Sequence, residues 1–127
     1  MKDDGGTNVI YASELADRYG EDLFRFAFIL TVSQSAAEKL LSDTMQELTG
    51  AHRFTKDAWE NKLTAISRIY KKAPKYAPKQ PDPGYLQNKS EEFVQFLKLP
   101  LKKRAVTHLT LYEDLTADQA EEVLRRK

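Results

Sequence analysis

Apolar residues recur at helical spacing along most of the chain, and no alternating run bounded by turn residues competes as a strand. Tyr11, Leu15 and Tyr19 mark one stripe, which Gly20 is expected to end. Leu23, Phe26, Ala27 and Leu30 mark a second, widened by Phe24 and Phe28. Ser35 stands three residues before Glu38, the spacing of a capping box, and is expected to open a third helix. That helix carries Leu40, Leu41, Thr44 and Leu48 and stops at Gly50, a favourable C-terminal residue. Asp57 or Thr55 can cap a fourth, with Trp59, Leu63, Ile66 and Tyr70 on one face and Pro74 keeping it short.

Four of the five prolines (Pro74, Pro78, Pro81 and Pro83) then fall close together. Each removes a backbone donor and pushes the preceding residue out of the helical region, so residues 73–89 read as an extended, semi-rigid linker. Beyond it, Ser90 precedes a short helix with Phe93, Val94 and Leu97. Pro100 suits the first turn of the next, whose buried stripe is read as Leu101, Ala105, Leu109 and Tyr112. Thr116 and Gln119 form a second capping box before a last helix with Ala120, Val123 and Leu124 inward. The pattern therefore predicts an all-α fold. Two small helical units, over 8–72 and 90–127, are expected to hold separate cores on either side of the linker.

Composition narrows the function classes. The chain has no cysteine, which removes disulfides, thiolate metal sites and cysteine nucleophiles. The opening MKDDGGTNVI lacks the pattern of a signal peptide, and the longest apolar stretch is far short of the roughly 20 residues of a membrane span. A cytoplasmic protein without a membrane role is expected. The net charge of +1 is nearly even across the chain, with ten basic and eleven acidic residues through Lys72 and ten and eight after it. Any DNA contact must therefore rest on a local patch.

His52 and His108 lack the paired spacing of a helical metal site, and no nucleophile elbow, phosphate loop or dinucleotide turn is present. Adjacent carboxylates such as Glu91 and Glu92 diverge on a helix and suit a solvated face. No catalytic residue, metal or cofactor is expected. Arg68, Lys71, Lys72 and Lys75 gather where the fourth helix ends, a place where cations complement the helix dipole. The same position allows Arg68, Lys71 and Lys72 to contact DNA phosphates without reading bases. Lys98, Lys102, Lys103 and Arg104 read as a solvated face.

The run KLPLKKRAVTHLTLYEDLTADQAEEVL resembles region four of bacterial sigma factors, especially the small extracytoplasmic-function group. A Leu-Pro opens a helix, Arg104 follows four residues after Pro100, and DLTADQAEEVL stands where that family begins its helix-turn-helix. Arg125, Arg126 and Lys127 take the place of the family's turn, so the resemblance implies an incomplete helix-turn-helix. Residues 11–72 are similar to region two of the same family, through YASELADRYGEDLFRFAFILTVSQSAAEKLLSDTMQEL. There the Ala-Glu-x-Leu helix docks on RNA polymerase, which implies Lys39, Leu40, Asp43, Thr44 and Glu47 as a contact stripe. In the next helix Lys62, Ile69 and Ala73 replace the family's usual tryptophan, asparagine and aspartate.

The resemblance thus implies a sigma-factor-like protein of transcription initiation. It would bind core RNA polymerase and touch DNA weakly and without sequence preference, with a second sigma-like or anti-sigma protein as a further implied partner. The alternative is a decoy or adaptor on a sigma scaffold that does not read promoters.

Overall fold

The computed structural model describes residues 4–78 and 89–126. It contains the helices α1 (Asp4–Thr31), α2 (Gln34–Gly50), α3 (Ala58–Tyr76), α4 (Glu91–Leu97), α5 (Leu101–Tyr112) and α6 (Ala117–Arg125), with no strand among the described residues. The all-α expectation holds.

Gly20 does not end a helix; α1 runs through it. Leu15, Tyr19, Leu23, Phe26, Ala27 and Leu30 lie in one register, so the two predicted stripes are a single face. Burial of Leu15, Leu23, Phe26, Ala27 and Leu30 outweighs the roughly 1 kcal/mol that glycine costs within a helix. What ends α1 is Val32, held at φ 51°, after which Ser33 is extended at φ −150°. The α2 cap is accordingly Ser33, whose hydroxyl accepts from the Ala36 N–H at 3.3 Å, and not Ser35. The capping-box spacing was present, but Val32 sets the reversal two residues earlier.

At its other end α2 stops at Gly50 as expected, although the left-handed residue is His52, at φ 54°. Asn8 of α1 secures this turn, its side-chain oxygen accepting from the Phe54 N–H at 3.1 Å. Asp57 caps α3 by accepting from the Glu60 N–H at 3.1 Å. Thr55 and Asn61 pin the preceding loop through bonds of 2.7 and 2.8 Å.

The linker begins later than expected. α3 continues past Pro74 to Tyr76, and Ala73 is buried. Proline deep inside a helix costs about 3 kcal/mol, but here little more than half a turn follows it. The Ala77 N–H still reaches the Ala73 carbonyl at 3.0 Å, and Tyr76 is anchored to α2. Residues 79–88 of the expected linker lie outside the described residues.

The expectation of separate cores is corrected. Leu15, Phe26, Leu40, Ile66 and Ile69 share one apolar cluster with Ala105, Leu109, Ala120, Val123 and Leu124. α1, α2 and α3 pack on one another, α5 packs on α1, and α6 packs on both α3 and α5. The physical reason is size: α5 and α6 are too short to hide their own apolar faces, and α1 and α3 supply the missing cover. The inward set of α6 is as predicted, and Thr116 and Gln119 close the expected capping box. In α5, by contrast, Tyr112 is exposed and His108 is buried with Ala105 and Leu109. Positions 105, 108 and 109 form the buried row of α5, with His108 against Phe26 of α1, and Tyr112 is the last residue of the helix.

Candidate functional site

The two residue sets singled out in the sequence meet along the α2–α3 contact. Leu40 and Thr44 point into the core, fully buried, and the Thr44 hydroxyl donates to the Leu40 carbonyl at 2.7 Å. Neither can belong to a docking surface, which corrects that part of the expected stripe. Helical spacing explains the error, since positions 37, 40, 44 and 48 form the buried row of α2. Lys39 is exposed, with its ammonium 3.8 Å from Asp43. Asp43 also accepts from the Tyr76 hydroxyl, which keeps the phenol protonated beyond its usual range.

Glu47 is the centre of the arrangement. One oxygen accepts from Lys72 at 2.8 Å and the other from Arg68. Lys72 first, and then Arg68, hold the Glu47 carboxyl below the usual glutamate value. Two of the three expected phosphate-binding cations thus already share a carboxylate. Lys71 faces a different depression, between α3 and α6, with Arg53, Glu60, Ser67 and Arg126. There Arg126 pairs with Glu60 at 2.6 Å, while its carbonyl accepts from the Ser67 hydroxyl at 3.2 Å.

The positions where the resemblance places promoter-reading side chains are all buried. Ile69 and Ala73 lie in the core, and Lys62 is only 3% exposed. The Lys62 ammonium donates to Asp22 of α1 at 3.0 Å and to Glu113 at the end of α5. It also lies 4.5 Å from the Tyr19 ring centre and 5.2 Å from that of Trp59, within cation–π range. Sequence reasoning missed this network. A signal existed, because Lys62 falls three residues after Trp59 and four before Ile66, on the apolar side of α3; its partner Glu113 is remote in the chain.

Of the second basic cluster, Lys98, Lys102 and Lys103 are exposed, as expected of a solvated face. Arg104 instead turns inward and donates to the Leu97 carbonyl at 2.7 Å, fastening α4 to α5. Among the described residues no group of three or more histidine, aspartate or glutamate side chains is placed to hold a metal, and no helix is long and apolar enough to cross a membrane.

No family model, no curated protein and no solved structure matches the chain.

Proposed function

We propose that the chain is a sigma-factor-like protein of bacterial transcription initiation that acts by binding core RNA polymerase, with DNA contact limited to weak, sequence-independent attraction. The family resemblance of residues 11–72 and 98–124 motivates this reading. One observation carries its emphasis on protein contact: Glu47 engages both Arg68 and Lys72, so one carboxylate offsets part of the positive charge offered to phosphate. The docking surface is then the outer side of α2, centred on Lys39, Asp43 and Glu47, without Leu40 and Thr44. No reaction is catalysed in this reading.

Burial of Lys62, Ile69 and Ala73 favours a second reading, a decoy or adaptor that occupies polymerase without reading a promoter. Co-purification with core polymerase tests what the two readings share, and loss of all binding overturns both. Transcription from a promoter template separates them. A sigma-like factor yields transcripts from a defined start, whereas a decoy yields none and lowers the output of a competing sigma factor.

A further inference from the structure

An apolar groove of about 760 Å³ opens between the second half of α1, α4 and the end of α5. Phe24 and Phe28 form one wall, with ring centres 6.3 Å apart, and Phe93 and Phe96 of α4 form the other, stacked at the same separation. The volume is that of a pocket for a small organic molecule, and such pockets combine aromatic walls with a few placed polar groups.

His108 is the first of these groups. It lines the groove while 4% exposed, and it makes ring contacts with Phe26 at 5.7 Å and Tyr112 at 4.9 Å. Its ring nitrogens hydrogen-bond to no described residue but are not fully enclosed. These nitrogens keep slight contact with solvent, and a ligand atom that accepts or donates there would take the place of water. Arg25 is the second group, the one guanidinium among the lining residues. Its contacts with Glu21 and Asp22, at 3.9 and 3.8 Å, are exposed pairs within one helix and hold it weakly. Glu92 stands on the α4 side and disfavours a second negative charge on an occupant.

We propose that this groove binds an apolar monocarboxylate, with its hydrocarbon body between the two phenylalanine pairs and its carboxylate against Arg25 and His108. The arginine supplies charge and the imidazole N–H supplies direction. The charged and titratable groups around His108 are Asp22 and Arg25 from α1, Lys62 from α3, Tyr112 from α5 and Glu92 at the groove's far side. Burial first, and then Arg25, press the imidazole towards its neutral form, at about 4. A bound carboxylate opposes both effects.

The test is NMR titration of the full chain with decanoate below its micellar concentration, beside decyltrimethylammonium as the cationic counterpart. Saturable shifts are expected at His108, Phe93 and Phe96, with the His108 protonation midpoint moving upward when decanoate is bound. The cationic amphiphile is expected to bind at least tenfold more weakly. Arg25→Gln, an exposed position that leaves the core intact, should weaken decanoate about tenfold with the rest of the amide spectrum unchanged. Equal binding of both amphiphiles, shifts centred elsewhere, an unmoved His108 midpoint, or no saturable binding at millimolar decanoate overturns the proposal. Indifference of decanoate affinity to Arg25→Gln overturns it as well.

Discussion

The Tyr76 hydroxyl donates to the Asp43 carboxylate at 2.6 Å, joining the residue just beyond Pro74 in α3 to the middle of α2. This bond keeps the last turn of α3 on the bundle although Pro74 lacks the N–H that would help hold it. Tyr76→Phe should lower stability by about 1–2 kcal/mol, as expected for a bond to a charged acceptor, with loss of helix confined to the end of α3. Asp43→Asn should return the raised Tyr76 ionisation towards the ordinary tyrosine value. Thermal melts and alkaline absorbance titration of the two variants check this. An unchanged tyrosine titration in Asp43→Asn would show that the carboxylate does not govern the phenol.

Gly20 offers a gain in stability. It lies within α1 at an ordinary helical φ, and a Cβ there would meet nothing within 4 Å. Gly20→Ala should therefore stabilise the fold by about 0.5–1 kcal/mol, through helix propensity and a less flexible unfolded chain. Urea unfolding at matched m-values gives the comparison. A loss would mean that α1 is bent or broken at this point.

Lys62 presents the opposite case, a charge held inside the fold between Asp22 and Glu113. Lys62→Ala strips Glu113 of its buried cation and should cost about 3–5 kcal/mol, whereas an apolar replacement of both partners removes the desolvation problem along with the attraction. Lys62→Met with Glu113→Leu is expected to be much closer to the parent than either single change. A double-mutant cycle on denaturation midpoints reads the coupling. Additive losses would place Lys62 and Glu113 outside a common interaction.

How far the fold was legible in the sequence depended on whether its determinants were local. Thr116 with Gln119, Asp57 before α3, Ser90 before α4 and the inward triplet of α6 are set within a few residues, and the spacing identifies them. Gly20 and Ser35 misled because a tertiary face and the reversal at Val32 override local propensity. The candidate stripe on α2 mixed both of its sides: Leu40 and Thr44 belong to the buried row 37, 40, 44 and 48, whereas Lys39 is exposed and Asp43 and Glu47 form bonds to Tyr76, Arg68 and Lys72 of α3. Partners such as Glu113 for Lys62 and Arg126 for Ser67 are more than fifty residues away, beyond the reach of periodicity.

His108 should make the protein acid-sensitive. Its folded value is about 4 against an ordinary 6.5, so above pH 6.5 the imidazole is neutral in both states and costs nothing. Between 6.5 and 4 the unfolded chain binds a proton that the folded chain refuses, and stability falls as pH falls. From pH 7 to pH 5 the loss is on the order of 2 kcal/mol. His108→Gln should flatten that part of the profile. Urea midpoints at the two pH values measure it, and an equal drop in the variant would assign the acid sensitivity to other groups.

Glu47 links the polymerase-docking and DNA-contact readings, and its removal separates them. In the intact protein its carboxylate draws Arg68 and Lys72 together and cancels part of their field. Glu47→Gln keeps the size of the side chain but removes the charge and replaces one of its two acceptor oxygens with an NH2 that cannot accept from a cation, leaving both cations more available to phosphate. Non-specific duplex binding should therefore strengthen, with no new sequence preference, because phosphate contacts position a protein without reading bases. Each added phosphate contact steepens the dependence of log K on log salt by about 0.9, so two released cations should steepen it by roughly 1–2. The same substitution weakens co-purification with core polymerase if the outer side of α2 is the docking surface. Fluorescence titrations at two salt concentrations with promoter-like and scrambled duplexes, run beside the pull-down, give both readouts. Unchanged DNA affinity and salt slope in a folded Glu47→Gln protein would mean that Arg68 and Lys72 are not phosphate-binding groups even when unpaired, leaving the adaptor reading as the one consistent with this face.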